Sequence, residues 1–166
     1  MDHHPHSPSL EQANLDAIAA QIDENGFAII PSVITPEKAN EARHVVERLL
    51  AEEATEADLE AKTQRIGRIA VKHPIFIELL TNPFIVAFWR NYLGDDAICG
   101  TWSANTAYPG FDRFGWHSDY PYWSITPPWP PGRLAGQTLW LLDDFSAENG
   151  GTGVLPGSHK RLEPPP

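Results

Sequence analysis

Trp116-His117-Ser118-Asp119 is the stretch on which the reading of this chain turns. Successive side chains of a β-strand point to opposite faces, so on a strand His117 and Asp119 project one way and Ser118 the other. One imidazole and one carboxylate aimed at a common point make two thirds of the 2-His-1-carboxylate set, which holds non-haem Fe(II) with positions left open. Aromatic residues crowd the pair along the chain: Trp116, Tyr120, Tyr122 and Trp123. They suit the water-poor wall of a pocket. The same residues also suit an aromatic core in which the histidine is simply hydrogen-bonded, and the spacing alone leaves both readings open.

Outward from this stretch, the residues after Gly94 read as strands. Segments 97–108, 114–123, 134–145 and 152–155 are rich in aromatic and aliphatic residues and separated by Gly/Pro turns. Thr126-Pro127-Pro128-Trp129-Pro130-Pro131-Gly132 is a stiff loop, because proline has no ladder donor for a central strand. Glu148-Asn149-Gly150-Gly151 reads as a turn tolerant of positive φ.

The residues before Gly94 read as helices. Ser9 with Gln12 resembles a capping box, and Leu15, Ile18, Ala19 and Ile22 fall at helical spacing before Asn25-Gly26 ends the run. Phe27-Ala28-Ile29-Ile30 reads as a short buried strand. Thr35-Pro36 supplies a cap and a first-turn proline for a helix through Ala42, Val46, Leu49 and Leu50. Residues 51–61 are its solvated continuation or a surface loop. Two shorter helices, 74–80 and 83–93, each open on proline. Helices first and strands second predict an α+β fold with the helices on one face of a sheet.

Composition narrows the function. Twelve basic against twenty-two acidic residues give a net charge of −10, which disfavours nucleic acid, whose binding rests on phosphate neutralisation. No run of 18 apolar residues predicts a membrane span, and residues 1–8, with three histidines, read as a flexible tail. The single Cys99 fits a reducing, cytoplasmic setting. The acidic residues between Glu52 and Glu60 read as a solvated face.

Taken in order, Asn25-Gly26-Phe27-Ala28-Ile29-Ile30-Pro31, the helical stretch 73–94, Gly115-Trp116-His117-Ser118-Asp119, and Glu148-Asn149-Gly150-Gly151 running into Leu155-Pro156-Gly157-Ser158-His159-Lys160 resemble the phytanoyl-CoA dioxygenase family. The likeness covers nearly all of residues 10–162. It implies one domain over 9–166: a mainly helical part, 9–94, packed on a double-stranded β-helix (a cupin-like jelly-roll) of which 95–166 supplies about the first half. It implies an Fe(II)- and 2-oxoglutarate-dependent dioxygenase that hydroxylates a small-molecule or acyl substrate with O₂. His117 and Asp119 match the first two metal ligands, and Trp140 in Thr138-Leu139-Trp140-Leu141-Leu142 matches a tryptophan beside the 2-oxoglutarate. The carboxylate of Asp119 favours hydroxylation over halogenation.

The family's distal metal histidine and its 2-oxoglutarate-binding arginine have no counterpart before Pro166. The expectation is therefore an incomplete domain, impaired in turnover and open to self-association through unpaired strands. The alternatives are a non-catalytic fragment or pseudoenzyme, and a cupin-like metalloprotein using His117, Asp119 and His159. In the family the matching histidine is not the distal ligand, and a structural role in the glycine turn is expected for His159. Arg113, Arg133 and Arg161 are the candidate substitutes for the carboxylate clamp, each also readable as a solvated surface arginine.

Overall fold

The structure is a computed structural model that describes residues 10–112, 115–119 and 121–165. Helix α1 spans Leu10–Asn25 and buries Leu15, Ile18 and Ala19 on one stripe. It stops where Gly26 takes φ +89° and donates its N–H to Ile22 O at 2.7 Å, as the Asn-Gly pair requires. The Ser9 cap expected to open it lies outside the described residues.

Helix α2, Pro36–Glu53, begins as its sequence dictates. Thr35 Oγ1 accepts from Lys38 N at 3.2 Å and proline occupies the first turn. Its buried residues, Ala42, Val45, Val46 and Leu49, recur at helical spacing. In the 51–61 stretch α2 continues to Glu53 and a separate short helix α3, Glu56–Ala61, follows, which neither reading given above contained. Thr55 and Asp58 open α3 with a reciprocal capping box. Helices α4, Pro74–Leu80, and α5, Pro83–Leu93, each start on proline behind a side-chain cap, His73 and Asn82 respectively.

Two strands pair antiparallel, β1 at Thr63–Gly67 and β2 at Ser103–Ala107, with Ile66 opposite Ala104. Strand β1 was not legible in advance, because Thr63-Gln64-Arg65-Ile66-Gly67 has one strongly apolar residue. Its second inward residue is Gln64, buried but satisfied: Nε2 donates to Leu50 O at 3.1 Å, and Oε1 accepts from Tyr108 OH at 2.6 Å.

The apolar residues gather in two cores. One joins α2, β1 and α4 around Ala42, Leu49, Ile66, Ile75, Phe76 and Leu79; the other joins α1 to α5 around Leu15, Ile18, Ala19 and Phe88. Ile66, Ile75 and Phe76 are almost wholly enclosed. Each such side chain contributes roughly 1.5–3 kcal/mol, so the helical part carries most of the burial energy.

The molecule is thus α+β, but its strand content is smaller than expected. Residues 27–30 form no strand, and Ile29 is 75% exposed; among the described residues no strand pairs with them. The 97–108 expectation contracts to β2. Among the described residues, segments 134–145 and 152–155 belong to no ladder, and the described part of 114–123 contains a turn and the start of a 3₁₀ segment, Tyr122–Ser124. Phe114 and Tyr120 lie outside the described residues. A strand exists only with a partner, and composition cannot supply one. The Pro-rich loop is anchored by Trp129, which is buried and donates its backbone N–H to Leu162 O at 2.8 Å and its Nε1 to Ile125 O at 3.0 Å.

Candidate metal centre

His117 and Asp119 come together although they share no regular strand. His117 Nε2 lies 3.8 Å from Asp119 Oδ1, with both side chains more than half exposed. His117 Nδ1 lies 3.3 Å from Gly115 O. A carbonyl only accepts, so a hydrogen bond here requires the proton on Nδ1. Metal-bound histidines use the same device to fix tautomer and ring direction. An exposed contact of this kind adds little to stability. An imidazole nitrogen and a carboxylate oxygen fit Fe(II) in kind and supply two donors.

The two sequence motifs also meet. The indole of Trp116 lies against Gly153, where an added Cβ would stand 3.6 Å from the ring. The turn before Gly153 closes as its residues suggest: Gly151 N donates to Ser146 O at 2.9 Å and Ser146 N to Asn149 Oδ1 at 2.8 Å. Glu148 is part of that turn, with its carboxyl pKa lowered chiefly by the Ser146 side chain.

His159 stands elsewhere. Its Nε2 is 3.0 Å from Asp23 O, and its ring fills the space beside Gly26, where a Cβ would sit 2.7 Å from Nδ1. Beside it Gly157 N donates to Asn25 O at 2.9 Å, and Lys160 Nζ to Glu24 Oε2 at 3.1 Å. The 3₁₀ turn Ser158–Lys160 is therefore fastened to the end of α1. Among the described residues no group of three or more His, Cys, Asp or Glu side chains is gathered as a metal site, so the His117–Asp119–His159 combination does not form here.

Of the candidate clamp residues, Arg133 is already engaged. Its Nε donates to Asp23 Oδ1 at 3.0 Å, its Nη2 to Asp23 Oδ2, and its Nη1 to Tyr92 O at 3.2 Å, while the guanidinium stacks 4.0 Å over the Tyr92 ring. Tyr92 OH also donates to Asp23 Oδ1, at 3.0 Å. Arg133 holds the Asp23 carboxyl below its usual pKa, and burial, reinforced by Asp23, pushes the Tyr92 hydroxyl up to about 12. This three-residue clasp carried no sequence signal: its members are 69 and 110 residues from Asp23. Arg161 is exposed and closes the 3₁₀ turn through its backbone, and Arg113 lies outside the described residues.

Trp140 is half-buried against the first core together with Leu142. Among the described residues no helix is long and apolar enough to cross a membrane.

Comparison with known proteins agrees with the order of these motifs. Residues 22–165 match the family described as phytanoyl-CoA dioxygenase (PhyH). An ectoine dioxygenase of Streptomyces coelicolor is 31% identical over 148 residues, covering 84% of this chain and 49% of its own length. An ectoine dioxygenase of Nocardia farcinica is 30% identical over 151 residues (86% and 50%). Dioxygenase af480 of Aspergillus fumigatus is 30% identical over 159 residues (89% and 50%). The chain spans about half the length of these curated relatives. No solved structure gives a significant match. A match over residues 22–165, joined to relatives that share the same span, settles kinship: the chain belongs to the phytanoyl-CoA dioxygenase family.

Proposed function

We propose that this chain carries part of an Fe(II)- and 2-oxoglutarate-dependent hydroxylating site, with His117 Nε2 and Asp119 as two metal donors and Trp140 beside the co-substrate. The observation that carries the reading is the 3.8 Å approach of His117 Nε2 to Asp119 Oδ1, within the span that matches the family. When bound, Fe(II) would activate O₂, with oxidative decarboxylation of 2-oxoglutarate to succinate and CO₂ supplying two electrons and the hydroxylated substrate C–H bond the other two. The chain's own contribution is to hold the ligands: Gly115 O fixes the His117 tautomer, and the Asp119 carboxylate neutralises charge at the metal position. Trp116 and Trp123 flank the pair in the sequence and suit a water-poor wall. A small-molecule or acyl substrate fits this reading, and the relatives named for ectoine support the small-molecule side of it. The jelly-roll is the frame that such a site requires. A cytoplasmic location is part of the same proposal, in keeping with a single, exposed, free cysteine.

Two protein donors hold Fe(II) weakly, so the 166-residue chain by itself turns over little 2-oxoglutarate. Titration with Co(II), followed by its d–d absorbance, tests the donors. The expected result is weak binding that falls more than about tenfold in His117→Ala and in Asp119→Ala, since even outer partners are worth ~10–100-fold in metal affinity. Undiminished binding in both variants removes them from the site. Succinate release near background is expected with Fe(II), ascorbate and 2-oxoglutarate. Robust release that His117→Ala abolishes would show that the chain is self-sufficient.

A further inference from the structure

Residues 136–142 carry the side chain placed above beside the co-substrate, yet among the described residues no ladder bond holds them. Their facing is nevertheless definite. Thr138, Trp140 and Leu142 are half-buried, while Leu139 and Leu141 are 50% and 48% exposed. This is the two-residue alternation of an extended chain, and a slip of one residue would exchange the two sets. Something other than backbone pairing must select the register.

The Trp89 indole on α5 touches the segment twice. Its Nε1 donates to Thr138 Oγ1 at 2.8 Å. The far edge of its six-membered ring presses on Gly136, where an added Cβ would stand 2.2 Å from Cη2 and 2.3 Å from Cζ3. Gly136 and Thr138 are two residues apart, on the face that two residues later carries Trp140. Trp89 is itself held in the second core, edge-on to Phe88 at 5.1 Å and to Tyr92 at 6.0 Å. A rigid ring fixed at both ends specifies which residue faces inward as well as where the segment lies. Trp140 and Leu142 then reach the first core, so the segment bridges the two.

We propose that Trp89 is a positioning residue: through Gly136 and Thr138 it sets the register of residues 136–142 and turns Trp140 inward. Only the functional consequence rests on Trp140's proposed place beside the co-substrate; the register does not. Thiol labelling of the full chain in a Cys99→Ser background tests it, with Leu141→Cys reporting the outward face and Leu142→Cys the inward one. Leu141→Cys labels faster in the parent. Adding Thr138→Val, Trp89→Phe or Gly136→Ala slows labelling at 141 and speeds it at 142. The ratio changes by roughly fivefold, about what one neutral hydrogen bond shifts a local equilibrium. Thr138→Ser, which keeps the acceptor, restores the parent ratio. Rates that rise together indicate general loosening and overturn the proposal, as do unchanged rates. Labelling needs neither metal nor co-substrate, so Trp140's role is read separately, from 2-oxoglutarate binding by the Fe(II)-loaded chain and its Trp140→Ala variant. Loss of the labelling response refutes the register, and unaltered binding refutes only the role of Trp140.

Discussion

Asp23 shows how one side chain can hold distant segments. Its carboxylate collects two donors from Arg133 and one from Tyr92, and its carbonyl oxygen contacts His159. Both charged partners are partly exposed, so the pair contributes about 1 kcal/mol, the upper end for a surface ion pair, because it is bidentate. Its pH dependence has a definite sign. A carboxyl with a lowered folded pKa adds stability above its unfolded value of about 3.9, lost as pH falls through the folded value. Tyr92 acts at the other end: with its hydroxyl pushed up to about 12, its contribution is intact below about pH 10 and fades between there and pH 12. Melting temperatures should therefore drop on both flanks, with Asp23→Asn blunting the acid drop and Tyr92→Phe the alkaline one. Flanks that keep their slopes in these variants would separate the clasp from stability.

The helices are the elements whose limits can be read locally, since each boundary is made by neighbouring residues. Asn82 Oδ1 accepts from Phe84 N at 3.1 Å and from Ile85 N at 3.4 Å, and Pro83 occupies the position that needs no donor. Removing this cap with Asn82→Ala should cost about 1 kcal/mol in a denaturant melt, with Asn82→Asp retaining most of the stability. An Ala variant as stable as the parent would mean that core packing of α5 makes the cap redundant. The strands behave differently. Segment 134–145 has the composition of a strand and the alternation of one over 138–142, but no ladder partner among the described residues. Segment 63–67 lacks the composition and is a strand, because β2 pairs with it and Gln64 finds two partners inside.

At the scale of the whole molecule the burial is uneven. Among the described residues, all the buried apolar ones except Trp129 lie before Gly94, where Ile29, Leu59, Val71 and Ile77 are nevertheless exposed, whereas after Gly94 Trp116, Trp123, Leu134, Leu139, Leu141, Phe145 and Val154 are substantially exposed. Apolar surface concentrated on segments that have no ladder among the described residues favours association between chains. The 166-residue chain should elute in size-exclusion chromatography at a size that grows with concentration, and Leu139→Lys with Leu141→Lys should move it towards monomer. A monodisperse monomer with one sharp melt would show that the exposed face is harmless. The sequence alone determined α2, α4 and α5, the end of α1 at Gly26, the turn at Glu148–Gly151 and the family, because caps, glycines and motif order act between near neighbours. It also named His117 and Asp119, but the regular strand expected to align them is absent from the described residues there; the two side chains lie 3.8 Å apart, with His117 Nδ1 3.3 Å from Gly115 O. Only the tertiary structure decided that Arg133 serves Asp23, that His159 packs on Gly26, and that Trp89 faces Gly136 and Thr138. Those contacts join residues dozens to more than a hundred positions apart, and which of them form depends on how the two cores pack.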